Sequence, residues 1–167
     1  MKALMVVAAA LFASVEAHAE GYSGRLGIGI GDDGEVKAII FVTDYISLRY
    51  GYYHSTRHVD ANSGSSYTQS TVINSLGVRN YFTSIQNTSA FVDLEYSQNQ
   101  TNYAGQTTLE SYKSQVYGMY SGIEYRFNEN VSVAGRFGIE FYTTNFQSYV
   151  ADGNYFPTTN LSVNYIF

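Results

Sequence analysis

The feature that most constrains this chain is an alternation of apolar and polar residues with a period of two. Eight segments show it, and polar or Gly/Asn/Asp-rich breaks separate them. Such alternation is typical of β-strands with two unlike faces, and the abundance of Tyr and Phe, with a single Pro, is a strand composition. The predicted strands are Tyr22–Gly31, Glu35–Val42, Tyr45–Arg57, Tyr67–Phe82, Ser89–Thr101, Glu110–Phe127, Val131–Gln147 and Thr158–Phe167.

The breaks between these strands fall into two classes that alternate along the chain. The short ones are Thr43-Asp44, Thr83–Thr88 and Asn128–Asn130, and the mostly longer ones are Asp32–Gly34, His58–Ser66, Asn102–Leu109 and Ser148–Pro157. Successive connections of an up-and-down meander lie at opposite ends of the sheet, so one end has tight turns (the turn end) and the other has loops (the loop end). The sequence therefore predicts an all-β fold: an eight-stranded antiparallel up-and-down transmembrane β-barrel with short periplasmic turns and longer external loops. Pro157 is expected just before the last strand.

The minor face of the strands carries charges in mid-strand beside many glycines. These residues are Arg25, Arg49, Arg79, Asp93, Glu95, Glu124, Arg126, Arg136 and Glu140. Buried charges are costly unless they are paired, so the near balance of signs predicts an ion network that plugs a narrow lumen. We expect the pairs Arg79–Asp93 and Glu124–Arg136. The alternatives are a sandwich with a charged solvent face and a secreted lipocalin-like barrel.

Residues 1–19 are predicted to be a cleaved signal peptide, which leaves residues 20–167 as the barrel domain. Lys2 precedes an apolar run from Ala3 to Val15, and Ala17 and Ala19 are the small residues that a signal peptidase reads. Glu16 ends the run too early for a membrane helix. The chain has no Cys, and Glu20 follows the predicted cleavage position, so neither disulfides nor a lipid anchor are expected. The net charge of −5 argues against nucleic acid as a partner.

The last strand ends on alternating apolar residues, Leu161, Val163, Tyr165 and Phe167. This ending resembles the C-terminal signature of bacterial outer-membrane proteins, which implies recognition by the barrel-assembly machinery. With the leader and the eight segments, the chain resembles the small eight-stranded barrels of the OmpA/OmpX-like superfamily. The resemblance implies a Gram-negative cell-envelope protein in the outer membrane, exported through the inner membrane, with both termini periplasmic. We expect a monomer in contact with outer-membrane lipid and lipopolysaccharide.

Aromatic residues should form two belts at the lipid–water interfaces. The expected turn-end belt is Tyr45, Phe82, Tyr125, Phe127, Tyr165 and Phe167, and the expected loop-end belt is Tyr52, Tyr103, Phe141 and Tyr149.

Few residues point to chemistry. His54, Ser55, His58 and Asp60 are the types that form a nucleophilic triad, and some eight-stranded outer-membrane enzymes deacylate lipid A with a His–Ser pair. The pattern here is His-Ser-Thr rather than the His-x-Ser-Asn of that group, and such crowding is common in polar loops. Metal binding by His54 and His58 is a further weak alternative. The glycines of Gly27–Gly34 lack the Gly-Lys-Ser/Thr of a phosphate loop.

We therefore expect neither an enzyme nor a cofactor nor a metal. The expected role is structural, or adhesin-like through Asp60–Ser66, Asn102–Thr108 and Ser148–Phe156, which would contact a host or surface partner. A lipid A-modifying hydrolase and a narrow, porin-like channel for small solutes are the alternatives.

Overall fold

The computed structural model describes residues 21–60, 66–105 and 109–167, and they form a closed antiparallel barrel of eight strands. The strands are β1 (Leu26–Gly31), β2 (Val36–Phe41), β3 (Ile46–Asp60), β4 (Ser66–Ile85), β5 (Thr88–Gly105), β6 (Tyr112–Arg126), β7 (Val131–Asn145) and β8 (Val150–Ile166). Each strand pairs with its neighbours in the chain, and β8 closes the ring on β1. The predicted fold class is confirmed. The predicted signal peptide, residues 1–19, lies outside the described residues.

The two faces of the wall are inverted relative to a soluble barrel. Leu26, Ile28 and Ile30 point outward from β1 and are 48%, 47% and 59% exposed, whereas Arg79 and Asp93 inside are 2% and 0% exposed. An apolar outer wall around a polar interior is the arrangement of a barrel that spans a membrane. Within the described ranges no helix is long and apolar enough to cross a membrane.

Glycines on the interior face let the wall approach the side chains that fill the lumen. Gly27 of β1 lies beside β8, where an added Cβ would lie 2.8 Å from the carbonyl oxygen of Tyr165. Gly122 of β6 lies under the ring of Phe91, which would clash with a Cβ at this position. The glycine-rich stretch after Arg25 is thus a strand with small inward residues. It continues into a tight turn in which the Gly34 N–H donates to the Gly31 carbonyl at 3.0 Å.

The C-terminal strand is tied down along its length. The Phe167 N–H donates to the Leu26 carbonyl at 2.8 Å, and the Ile166 N–H donates to the Asn130 carbonyl at 2.7 Å. The pairing of the last residues with β1 removes the open edge that hydrocarbon would not tolerate.

Several strands are longer at the loop end than predicted. β3 continues to Asp60, β5 to Gly105, and β8 begins at Val150. The predicted loop Ser148–Phe156 is therefore mostly strand, and so is the described part of Asn102–Thr108. Residues 61–65 and 106–108 of the predicted loops lie outside the described residues.

Two predicted boundaries at the strand starts are also wrong. Pro157 lies inside β8 rather than before it, at a bulge where Phe156 and Pro157 oppose Ile139 alone. The bulge explains why proline is tolerated there, since no ladder bond needs its missing N–H. β1 begins at Leu26 rather than Tyr22, because the Arg25 N–H donates to the Tyr22 carbonyl at 3.0 Å and closes a turn.

β1 and β2 are much shorter than the other strands, with six residues each against 15 to 20. The ring is therefore complete only over its turn-end part. Beyond it, the loop-end parts of β3 to β8 form a six-stranded sheet, which we call the raised sheet.

Candidate functional site

The lumen is closed at the turn end by packed apolar side chains, which we call the turn-end plug. Phe41 and Phe91 are 1% and 0% exposed, and the Phe41 ring lies 5.2 Å from that of Tyr22. The plug comprises Tyr22, Ile39, Phe41, Tyr81, Phe91, Ala134 and Ile166. An eight-stranded barrel leaves an interior just wide enough for such filling.

Next to the plug, Asp93 of β5 is the centre of an ion network. Its Oδ1 accepts from Arg79 Nε at 2.9 Å, and its Oδ2 lies 2.8 Å from Arg49 Nη2 and 3.5 Å from Arg136 Nη1. Three strands, β3, β4 and β7, thus direct a guanidinium at one carboxylate. Such a buried anion is stable because several charge-assisted contacts replace its lost hydration.

The network extends from Asp93 in both directions. Towards the turn end, Arg79 Nη1 donates to Glu124 Oε2 at 2.8 Å, and the Tyr81 hydroxyl donates to the same oxygen at 2.7 Å. Towards the loop end, Arg136 donates to both oxygens of Glu95, at 2.7 and 3.1 Å.

Lys37 and Glu35 of the β1–β2 hairpin complete the network. Lys37 Nζ lies 2.8 Å from Glu35 Oε2 and 3.7 Å from Glu95 Oε2, and the Ser75 hydroxyl donates to Glu35. The network is balanced, with the cations Lys37, Arg49, Arg79 and Arg136 facing the anions Glu35, Asp93, Glu95 and Glu124. All of them are buried except Glu95, whose side chain is 12% exposed.

Aromatic rings hold several of the guanidinium groups in place. Arg79 lies 3.5 Å over the Phe91 ring, Arg136 4.0 Å over Tyr120, and Arg126 4.1 Å over Tyr22. A guanidinium stacked on a ring keeps its edge free for carboxylates.

All nine predicted lumen residues lie within the barrel interior or at its turn-end mouth. Arg25 is at the mouth, where Nη2 donates to the Ile166 carbonyl at 3.4 Å. Glu140, at the other end, accepts from the Tyr120 hydroxyl at 2.5 Å.

One of the two predicted pairs is confirmed. Arg79 and Asp93 are bonded as expected. The predicted pair Glu124–Arg136 is wrong, because Glu124 is paired with Arg79 and Arg136 is paired with Glu95. Lys37 and Glu35 were not predicted to belong to the network.

A cavity of about 400 Å³ lies on the loop-end side of the network. Its lining includes Asp32, Asp33, Glu35, Glu140, Tyr53 and Arg136. The lumen therefore changes from a filled plug at the turn end to a polar, mostly acidic vestibule at the loop end.

The structure does not assemble a triad from the polar residues of β3. His54, His58 and Asp60 lie on the outer face, and Ser55 points to the interior. His58 Nε2 lies 3.2 Å from Asp60 Oδ1 and its Nδ1 lies 3.3 Å from Thr68 Oγ1, all at the exposed surface. His54 and Ser55 are neighbours on an extended strand, so their side chains project to opposite faces. Among the described residues, no group of three or more His, Cys, Asp or Glu could hold a metal ion.

The C-terminal motif and most predicted belt residues face outward. Leu161, Val163, Tyr165 and Phe167 are each about half exposed on the outer wall. Tyr103 is the exception in the loop-end belt, because it points inward and its ring lies 5.9 Å from that of Tyr67.

Comparison with known proteins gives structural neighbours only. No protein-family model and no curated protein matches the chain. The chain is similar to CarO of Acinetobacter baumannii, with 12% identity and a TM-score of 0.44 over 87% of this chain and 98% of that one. It is also similar to a major outer membrane protein from Thermus thermophilus, with 14% identity and a TM-score of 0.47 over 86% and 98%. Acinetobacter baumannii CarO2 matches with 13% identity and a TM-score of 0.42 over 86% and 98%.

Three features of the chain itself indicate the type of barrel. Its eight antiparallel strands close completely, its apolar residues face outward, and its charges neutralise one another inside. The protein is a small eight-stranded barrel of the outer-membrane type.

Proposed function

We propose that this protein is a non-conducting barrel that braces the outer membrane and presents its raised sheet to a partner at the cell surface. The observation that carries the proposal is the closure of the lumen. The turn-end plug and the balanced ion network fill consecutive layers of the interior, and Phe91, Asp93 and Glu124 are at most 1% exposed. A solute passing through would have to separate several buried ion pairs.

The proposed orientation in the membrane is based on the difference between the two ends of the barrel. Short turns at residues 42–45, 86–87 and 127–130 suit the periplasmic side, where both termini would also lie. The outward alternation of Leu161, Val163, Tyr165 and Phe167 supports recognition by the barrel-assembly machinery after export. The apolar outer wall would contact lipid, and the polar wall beyond it would meet lipopolysaccharide.

The raised sheet supplies the interaction surface. Its outer face carries uncharged hydrogen-bonding side chains such as Thr68, Ser70, Gln98, Gln100 and Asn102. Tyr96 and Tyr117 lie between this polar surface and the apolar wall, with ring centroids 5.0 Å apart. Tyrosines with small polar residues make adaptable contacts at protein surfaces.

Planar-bilayer recording tests the closure. The folded wild-type protein should give no steady conductance above the leak of the bilayer. As a positive control, Phe41→Ala combined with Phe91→Ala empties part of the turn-end plug and should bring occasional openings. Steady openings of the wild-type protein would instead support the narrow channel.

Adhesion of whole cells tests the surface role. Cells producing the wild-type protein are compared with cells producing a variant in which residues 102–111 are replaced by Asn-Gly, which shortens the β5–β6 hairpin next to the Thr101–Tyr112 pair. At matched surface amounts, the variant should bind less to immobilised matrix proteins. Equal adhesion with and without the wild-type protein would contradict the surface role. The lipid A of the same cells should be unchanged in mass, and a deacylated product would favour the hydrolase.

A further inference from the structure

The short β1–β2 hairpin leaves a lateral slot in the wall of the barrel at the loop end. β2 pairs with β3 only from Ser47 to Tyr52, and β1 pairs with β8 only from Ser162 to Ile166. In the described part of the chain, residues 53–60 of β3 therefore pair only with β4, and residues 150–160 of β8 pair only with β7. The free edges of β3 and β8 therefore face each other across the gap that longer β1 and β2 strands would fill.

The hydrogen-bond pattern of β3 shows which backbone groups face the slot. The Ile46 carbonyl accepts from the Val42 N–H on the β2 side, and the Tyr45 carbonyl accepts from the Tyr81 N–H on the β4 side. Backbone groups of successive strand residues point to alternate sides, and the β3–β4 register has no shift up to Asp60. The N–H and C=O groups of the even residues, His54, Thr56, His58 and Asp60, thus face the slot.

The two edges differ in how well they are protected against pairing. The β8 edge contains Pro157, which has no N–H, and the bulge at Phe156 and Pro157 interrupts its spacing. Where this edge approaches the turn end, the Leu161 carbonyl already accepts a hydrogen bond from the Asp32 N–H at 2.8 Å. Proline and bulges are the usual means by which natural sheets prevent edge pairing. Residues 53–60 of β3 contain neither proline nor glycine and run without a bulge.

We propose that residues 53–60 of β3 bind an extended segment of a partner protein, which adds to the sheet as an antiparallel strand. The proposal rests on the proposed surface role and names the surface that performs it. Strand addition to an exposed edge is a general mode of peptide recognition, and antiparallel pairs are slightly more stable than parallel ones. Where β1 and β2 lie between β8 and β3, these two strands are three strand spacings apart, or about 14 Å, so the slot begins with room for an added backbone.

The charges around the slot define the chemistry of the segment. Arg57 points to the interior face and is exposed, and among the described residues no carboxylate lies within ion-pair distance of it. Tyr53, four residues before Arg57 in β3, lines the acidic vestibule together with Asp32, Asp33 and Glu35. A segment with a carboxylate opposite Arg57 and a cation opposite Tyr53 complements both places. In an antiparallel segment the cation comes four residues after the carboxylate, so the pattern is Glu-x-x-x-Lys.

A labelled model peptide tests this pattern directly. The amidated heptapeptide TVEVTVK places Glu opposite Arg57, Lys opposite Tyr53 and valines on the outer face, and it ends where β2 begins to pair with β3 at Tyr52. Fluorescence anisotropy with the full-length folded protein in nanodiscs should show that it binds at least ten-fold more tightly than the exchanged peptide TVKVTVE. Equal binding of the two, or tighter binding of the exchanged peptide, overturns the proposal.

Substitutions on the edge separate backbone pairing from side-chain contact. Thr56→Pro removes one N–H that faces the slot and leaves the β3–β4 ladder intact, so it should weaken binding of TVEVTVK at least ten-fold. Thr56→Val keeps the N–H and should bind as the wild-type protein does. Heat-modifiable migration in gels verifies that both variants fold. If the proline variant does not fold, methylation of the peptide amides that face β3 tests the same bond, and unchanged affinity contradicts the proposal.

A charge exchange and a cell assay complete the test. Arg57→Glu should reverse the preference at one position, so that TVKVTVK binds this variant more tightly than TVEVTVK does. If Thr56→Pro cells adhere as wild-type cells do, the edge proposal fails while the surface role stands. If no cells adhere above background, the surface role itself fails. The wild-type protein could instead form a dimer in nanodiscs that the Thr56→Pro substitution dissociates. The edge would then bind a second copy of this chain, and the proposal of a different partner protein would be wrong.

Discussion

Replacement of Asp93 by Asn tests whether the ion network stabilises the barrel. Asp93 is fully buried and contacts the guanidinium groups of Arg49, Arg79 and Arg136. Asn has nearly the same shape, so Asp93→Asn removes the charge with little change in packing. Four buried cations would then face three anions.

The expected loss of stability follows from the uncompensated charge. Removal of one partner from a buried ion pair costs about 3–5 kcal/mol, because the remaining charge stays desolvated. We therefore expect Asp93→Asn to lower the free energy of unfolding by about 3–5 kcal/mol. Asp152→Asn is the matched control, because Asp152 is exposed on β8 and its substitution should change stability by less than about 0.5 kcal/mol.

Unfolding by guanidinium chloride in detergent micelles is the assay. Far-UV circular dichroism should be the probe, because the chain has no Trp. Heat-modifiable migration in gels provides an independent measure of the folded fraction.

A double mutant decides whether charge is the cause. Arg49→Met in the Asp93→Asn background restores equal numbers of buried cations and anions. The double mutant should be more stable than the sum of the two single effects predicts, by about 0.5–3 kcal/mol. Additive effects, or an Asp93→Asn variant as stable as the Asp152→Asn control, would refute the network as a source of stability.

Three further substitutions probe other parts of the barrel by the same unfolding assay. Phe137→Arg puts a charge on the outward face of β7 and should lower the free energy of unfolding by about 2–4 kcal/mol if this wall lies in the membrane. Asn145→Arg at the loop end of the same strand is the control, and equal effects of the two substitutions would contradict the membrane placement. Gly122→Val places methyl groups against Phe91 and should lower the free energy of unfolding by about 1–3 kcal/mol through overpacking. Ser121→Val on the outer face is the control and should not destabilise the protein. Similar stability of the two variants would contradict the contact between position 122 and Phe91. Phe41→Ala empties part of the turn-end plug and should cost about 3–5 kcal/mol; a loss below about 1 kcal/mol would show that this layer is not tightly packed.

The fold could be predicted from the sequence because a membrane requires the outer face of each strand to be apolar, whereas the inner face can be polar. Where lipid surrounds the wall, as along β7, Val133 and Phe137 face out while Ala134 and Arg136 face in, so alternation locates the strand. Beyond the bilayer both faces meet water, and the contrast disappears while the backbone pairing continues. This explains why the sequence predicts loops at residues 102–105 and 150–155, although both segments are paired strands.

The network was only partly predictable for a related reason. On β2, Ile39 and Phe41 share a face with Lys37, and Val36, Ala38 and Ile40 are apolar on the other face. With two apolar faces, the strand gives no signal of which face is interior, so Lys37 is missed. The inward face of β2 is apolar because it supplies the turn-end plug.

The wrong partner of Arg136 has a geometric cause that applies to narrow barrels in general. The register of a hairpin predicts partners only on adjacent strands, such as Glu124 on β6 for Arg136 on β7. Across a lumen this narrow, a guanidinium reaches beyond the adjacent strands, and Arg136 of β7 bonds to Glu95 on β5, the next strand but one in the ring and 41 residues away in the chain. The side chains that face one another in such a barrel depend on the stagger of all eight strands, which bulges such as those near Phe82 and Ile139 change. Alternation alone therefore identifies which charges enter the lumen, whereas their pairing depends on the closed ring.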